Sequence, residues 1–240
     1  MNKLFPIVIL AGGLATRLGS LSKTIPKSLI LVNEEPFIGH QLRLLKNQGF
    51  EKIVLCIGYL GGLIRDYVKE GSQFGLSVTY SEDGEQLLGT AGALYKASSL
   101  LDEAFFVLYG DSYLMVDYKI IQKNFEEQNK PVLMTVFKNN NKGDNSNIEF
   151  SDNRIIKYDK KNKTINMQYI DFGLSLFKKN IFTSNDIFND LSVIFQKLLA
   201  DNRLACYEVF QNFYEIGSIN GLNDFKNLIK QQEASIWAIT

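Results

Sequence analysis

The sequence predicts an α/β, Rossmann-like fold: a mixed, mostly parallel sheet flanked by helices, with a smaller antiparallel extension in its second half. Short β-rich runs alternate with helical periodicity up to about residue 130, as parallel strands joined by crossover helices do. Beyond that point strand-like pieces follow one another with only turns between them. The 240 residues, 45% hydrophobic and 22% charged, suffice for one large core and do not force a second. We therefore expect a single domain over residues 1–240, whose first half (1–130) and second half (131–240) each meet a different ligand.

Residues 6–10 read as a buried first strand. Residues 36–48 place Ile38, Leu42 and Leu45 at helical spacing, and Gly49 closes that helix. Residues 52–57 supply the second strand, Leu60, Ile64 and Val68 mark a second helix, and residues 76–80 form a third strand. A helix over 91–100 then leads to the strongly apolar strand 105–109, and Ile121 and Phe125 recur at helical spacing before strand 132–137. The extension follows as strands 148–150, 154–158 and 169–177, and helices around 191–199 and 222–229 close the domain with no repeat after them. The polar run 139–147, with Gly143 and Asp144 inside it, has turn chemistry and no apolar face, so we expect a mobile tip or a lid there.

Lys plus Arg and Asp plus Glu both total 26, so no overall field draws the chain to nucleic acid or to an anionic membrane, and any anion is held locally. Neither a long hydrophobic segment nor a small-residue cleavage pattern follows Met1, so the expected location is the cytoplasm, without a membrane partner. Cys56 and Cys206 are the only cysteines and His40 the only histidine. That excludes a disulfide framework, a zinc cluster and a Ser-His or Cys-His site, and leaves His40 as a packed or surface residue.

The first strand ends in Leu10-Ala11-Gly12-Gly13-Leu14-Ala15-Thr16-Arg17-Leu18, with Pro26-Lys27 shortly after. Adjacent glycines after a buried strand let backbone N–H groups approach a phosphate or a base, and Arg17 and Lys27 add fixed cations, so a triphosphate is the natural anion. The run is neither a Walker A loop, which ends in Gly-Lys-Ser/Thr, nor a G-x-G-x-x-G fingerprint. It resembles the leading motif of the sugar-1-phosphate nucleotidyltransferases, LAGG-x-G-T-R-L with a later PK, and departs from it at Ala15, where that family commonly has glycine.

The likeness extends along the chain. Leu88-Gly89-Thr90-Ala91-Gly92-Ala93 opens a helix and is similar to the family's GTAG segment, whose glycines border the base and sugar pockets, with Glu85 near where the family reads the base edge. Tyr109-Gly110-Asp111-Ser112 follows the most apolar strand, and strand C-termini are where open α/β sheets place ligands. Tyr214-Glu215-Ile216-Gly217-Ser218 stands where the family shows an aromatic residue, Asp, any residue, Gly and Thr. Asp159-Lys160-Lys161 takes the place of its Glu-Lys-Pro, and Asp171-Phe172-Gly173 that of its Asn-x-Gly. The runs at 36–42, 109–113 and 213–218 carry a nearer likeness to bacterial heptose-1-phosphate guanylyltransferase-like enzymes.

The resemblance implies a transferase that converts NTP and sugar 1-phosphate to NDP-sugar and pyrophosphate for surface polysaccharide precursors, GTP with a heptose 1-phosphate being the leading pair. Leu10, Ala11, Gly12, Gly13, Arg17, Lys27, Glu85, Gly89 and Thr90 would bind the nucleotide, Arg17 and Lys27 also serving catalysis. Gly92, Asn147, Lys160 and Asp171 would meet the acceptor, and Asp111 and Glu215 would hold Mg²⁺. The acceptor is already an anion, so no general base is required. Two other readings stay open: a cytidylyltransferase acting on a phosphorylated small molecule that is not a sugar, and a regulatory subunit that binds nucleotide sugar without turnover. The base, the acceptor and a homo-oligomeric state are not legible.

Overall fold

The computed structural model describes residues 3–13, 24–140, 145–183 and 188–237. Its first strand, β1 (Ile7–Leu10), is followed by a two-residue hairpin, β2 (Leu31–Val32) and β3 (Glu35–Pro36), and by helix α1 (Phe37–Asn47), which ends before Gly49 at φ +96°. The alternation continues through β4 (Lys52–Ile57), α2 (Gly61–Val68), β5 (Ser77–Glu82), α3 (Gly89–Ala97) and β6 (Ala104–Tyr109). A three-residue strand β7 (Ser112–Leu114) then precedes α4 (Tyr118–Gln128), whose first amides are capped by Asp117. The remainder is β8 (Val132–Lys138), β9 (Ile148–Ser151), β10 (Arg154–Tyr158), β11 (Tyr169–Lys178), α5 (Leu191–Ala200), β12 (Leu204–Val209), β13 (Phe213–Glu215) and α6 (Ile219–Trp237).

Among the described residues the main sheet has nine strands, running β10-β9-β11-β6-β1-β4-β5, with β8 pairing β11 and β12 pairing β8. The pairs β6·β1, β1·β4 and β4·β5 are parallel, whereas β6·β11, β11·β8, β11·β9 and β9·β10 are antiparallel. The expected α/β architecture with an antiparallel extension is what forms. Successive side chains of β1 show why: Ile7 and Ile9 point into the core under α1, α2 and α4, while Val8 points into the core under α3 and α5. A third cluster around Phe37, Tyr113, Ile216 and Phe225 seats α6 beside α1 and β7. His40 belongs to this packing: its ring lies 5.8 Å from that of Phe225 and a ring nitrogen lies 3.0 Å from the Val32 carbonyl.

Two local features place the site. The pairing of β11 with β8 slips between Asp171 and Ser175, where Gly173 takes φ +91°, so the strand bulges and re-aims Asp171. The short strands β7 and β13 form a separate antiparallel ribbon that sets Ser112 opposite Glu215. The 139–147 run is anchored at its ends, the Ser146 hydroxyl donating to buried Asn139 Oδ1 at 2.6 Å, and the expected tip at 141–144 lies outside the described residues. Among the described residues no helix is long and apolar enough to cross a membrane.

Candidate active site

The C-terminal ends of β1, β4, β5 and β6 open onto a cavity of about 320 Å³. Leu10, Ala11, Gly12 and Gly13 form one wall, and Lys27, Gly89, Thr90 and Asp111 also face it. The rest of the lining is largely apolar, including Leu87, Ala93 and Cys56, whose thiol burial pushes up to about 12. Gly12 is crowded: a Cβ there would lie 3.2 Å from the Gly58 backbone nitrogen and 3.3 Å from Asp83 Oδ2, so both neighbours would have to give slightly. Gly110 is tighter still, because a Cβ would meet the Leu10 carbonyl oxygen at 2.6 Å. The turn after β6 can therefore approach the end of β1 this closely only as glycine.

A second cavity, of about 380 Å³, opens on the other side of Tyr109 and Asp111, which line both. Here the walls are polar: Lys160, Lys163, Asn145, Asn147, Asp171 and Glu215 face it, with Phe172 and Phe213 as the apolar side. Asp171 accepts hydrogen bonds from the Tyr109 hydroxyl at 3.3 Å and from the Gly173 backbone N–H at 3.0 Å. Burial raises its carboxyl above the usual range, against the Lys160 charge and these two hydrogen bonds. Asn147 Oδ1 is buried without a hydrogen-bond partner among the described residues, an acceptor open to a ligand hydroxyl.

At the seam between the cavities Lys27 Nζ donates to Asp111 Oδ2 at 2.9 Å. A Cβ on Gly217 would lie 2.6 Å from Glu215 Oε2, 3.2 Å from Lys27 Nζ and 3.4 Å from Asp111 Oδ2, so two carboxylates and an ammonium face one point. Among the described residues no three His, Cys, Asp or Glu side chains cluster as a complete metal cage. Glu215 is also engaged with the start of α6. Its carboxylate accepts from the Gly217 N–H, from the Ser218 N–H at 3.1 Å and from the Ser218 hydroxyl at 2.6 Å. Gly221 approaches the same carboxylate too closely for any Cβ to fit.

Not every residue singled out in the sequence reaches these two cavities. Glu85 is exposed and lines a third, open cavity of about 310 Å³ with Gly61, Gly62, Glu82 and Gly84; Asp83, two residues earlier, lines both that cavity and the first. Asp83 Oδ2 accepts from the Leu88 N–H at 3.3 Å, and burial raises its pKa against that bond and the nearby Lys96 charge. Its signal was position, one residue past the end of β5. Gly92 is buried inside α3 and lines neither cavity; a Cβ there would press on Leu88 Cβ at 2.9 Å. Thr90 does line the first cavity, but its hydroxyl accepts from the Leu191 N–H at 2.9 Å and so also ties α3 to α5. Arg17 and Ala15 lie outside the described residues. Lys163, Asn145, Tyr109 and Asp83 are among the polar cavity residues that sequence reasoning did not propose as site residues.

The profile of the Nucleotidyl transferase family matches residues 7–232. Among curated proteins, the D-glycero-alpha-D-manno-heptose 1-phosphate guanylyltransferase of Campylobacter jejuni subsp. jejuni serotype O:2 is 34% identical over 117 residues, 49% of this chain and 52% of that protein. The N-acetylmuramate alpha-1-phosphate uridylyltransferase of Neisseria meningitidis serogroup B is 38% identical over 112 residues, 46% of this chain and 48% of that protein. Each match thus spans about half the length of the relative. Among solved structures, HddC from Yersinia pseudotuberculosis superposes with a TM-score of 0.78 at 23% identity, over 94% of this chain and 100% of that one, a likeness of fold.

Proposed function

The chain belongs to the Nucleotidyl transferase family, and on that premise we propose that it transfers a nucleoside monophosphate from an NTP to a sugar 1-phosphate and releases pyrophosphate. The observation that carries this is the seam: Asp111, Glu215 and Lys27 face one point between a glycine-walled cavity and a polar one. One cavity suits a base and ribose, the other a hydroxylated phosphate ester, and the reacting phosphorus belongs where they meet. The acceptor oxygen attacks the α-phosphorus in line as the bond to pyrophosphate breaks. Being ionised already, it needs no base, so the residues act by placement and charge.

Lys27 neutralises phosphate charge on the nucleotide side, and the Gly12-Gly13 backbone lets the triphosphate lie close. Lys160 meets the acceptor phosphate, while Asp171 and Asn147 accept from ring hydroxyls. The donor set fits Mg²⁺, a hard ion usually held by one or two carboxylates together with substrate phosphates, and Asp111 and Glu215 would hold it. Bound there, the ion supplies neutralisation of charge on the phosphate oxygens.

GTP with a heptose 1-phosphate is the substrate pair we favour, for use as a surface polysaccharide precursor made in the cytoplasm. Two considerations support it: the relatives that act on that sugar, and Asp83, an acceptor-only carboxylate suited to guanine, whose edge offers both a ring N–H and an amino group. The deciding experiment is a matrix of four NTPs against a panel of sugar 1-phosphates and phosphorylated non-sugars, read by pyrophosphate release with Mg²⁺ present and by identification of the product. Turnover confined to CTP with a non-sugar would replace the reading, and silence across the panel would favour a binding protein.

A further inference from the structure

Helix α1 carries one polar side chain that no solvent reaches. Gln41 is 0% exposed, and its amide nitrogen donates to the Ser112 carbonyl at 2.7 Å and to the Tyr109 carbonyl at 3.3 Å. Those two carbonyls bracket the two-residue reversal Gly110-Asp111 that joins β6 to β7. One NH₂ group thus spans both ends of the turn that presents Asp111. Gln41 Oε1 meanwhile has no hydrogen-bond partner among the described residues, an arrangement that costs free energy and that an apolar side chain of the same length would avoid.

The rest of α1 shows what the span connects. At its N-terminus the Phe37 N–H donates to the Ile30 carbonyl at 3.0 Å, and the Ile30 N–H donates to the Lys27 carbonyl at 3.0 Å. The helix therefore fixes the segment bearing Lys27 at one end and the turn bearing Asp111 a turn further on. Beyond that turn, the Ile216 N–H donates to the Asp111 carbonyl at 3.0 Å and Ser112 pairs with Glu215. Lys27 and Asp111 thus hang on backbone that α1 or Gln41 holds, and Glu215 is tied to the same turn through its pairing with Ser112.

We infer that Gln41 is a positioning residue for the metal and phosphate centre: its amide sets the Gly110-Asp111 turn and, through the β7·β13 ribbon, the distance between Asp111 and Glu215. The inference rests on the proposed nucleotidyl transfer and on Mg²⁺ at these carboxylates. Removing the amide lets the turn relax, so the two carboxylates no longer face one point and the ion is held less tightly.

The test is Gln41→Met, which keeps length and volume but has no donor, with Gln41→Asn as a second variant whose amide cannot reach both carbonyls. Each is measured well below its own melting temperature. We expect the Mg²⁺ midpoint for kcat to rise about 10-fold or more and the Mg²⁺-dependent gain in GTP affinity, read by calorimetry without acceptor, to shrink by a similar factor. GTP binding in EDTA should stay within about 2-fold of the wild type. A lower melting temperature with an unchanged Mg²⁺ midpoint and unchanged calorimetry would reduce Gln41 to a core residue and overturn the inference. If Gln41→Met does not fold, the same two readouts on Gln41→Asn decide. A wild type that turns over no NTP would instead refute the proposed reaction, a result distinct from either.

Discussion

The cavity walled by Gly12 and the cavity holding Asp171 share Tyr109 and Asp111 and otherwise have little in common. The first is made of backbone and small apolar side chains at the ends of parallel strands, where Gly12 and Gly110 leave no room for a Cβ without disturbing neighbouring loops. The second is made of side-chain heads: lysines, amides and a raised carboxyl mounted on antiparallel strands and turns. A ligand in the first is selected by fit against a rigid scaffold; a ligand in the second is selected by charge and hydrogen bonds. The difference teaches that the nucleotide side resists change through its main chain, whereas the acceptor side can be retuned one side chain at a time.

The largest effect should come where the cavities join. Asp111→Asn keeps the shape of the side chain but removes the charge that pairs with Lys27, so we expect an intact fold and a loss of turnover of about 1000-fold or more. Circular dichroism and pyrophosphate release check the two parts. Activity within severalfold of the wild type would mean that the seam is not the reaction centre and that the two cavities are unrelated.

Next, single cations should separate the two sides. Lys27→Ala should weaken NTP binding by roughly 10- to 100-fold, the worth of a charged hydrogen bond, with a change in melting temperature too small to account for it. Lys160→Ala should raise the acceptor KM by about 10-fold while calorimetric NTP affinity without acceptor stays within about 2-fold. Equal loss of NTP affinity in both variants would dissolve the comparison into a single site.

Much of this is legible in the sequence, and unevenly so. Elements with a period were legible: Ile38, Leu42 and Leu45 foretold α1, and the unbroken apolar run 105–109 foretold β6 at the middle of the sheet. Strands β7 and β13 were not, because three residues carry no period and their pairing joins segments about a hundred residues apart. The glycine wall announced itself as a motif since its function is in the backbone. Direction of side chains did not: only where β5 ends decides that Asp83 reaches the glycine-walled cavity while the more exposed Glu85 lines only the neighbouring one. Gly92 had a motif's spelling and a packing role, because small residues serve both ends. Glu215 shows a third kind of gap. Its place in the motif gives no sign that the carboxylate folds back onto the Gly217 and Ser218 groups just before α6 as it faces Asp111.

The smallest expected effect is a matter of proton linkage in the second cavity. Asp171 has its carboxyl raised chiefly by burial; the nearby Asp190 charge adds to this, while Lys160, the Gly173 N–H and the Tyr109 hydroxyl oppose it without cancelling it. In the unfolded chain the same group titrates near the ordinary value of about 3.9. Between that value and the raised one, the folded protein binds more protons than the unfolded chain, so this group adds stability as pH falls through the window and withdraws it as pH rises. Above the raised pKa its contribution is constant and unfavourable. Asp171→Asn has no proton to gain, so the wild type should improve relative to the variant as pH is lowered from 7.5 toward about 4, seen as a rise in the difference of their melting temperatures. The other carboxylates titrate in both proteins and drop out of that difference. A difference that stays flat would show that Asp171 is charged as easily as an exposed carboxylate, and the contrast between a hydrated and a dry acceptor cavity would then favour the hydrated one. Acceptor KM on the same variant sharpens the result, because a carboxyl that is hard to ionise and still binds ring hydroxyls should lose affinity for sugar 1-phosphate at every pH, while NTP affinity stays put.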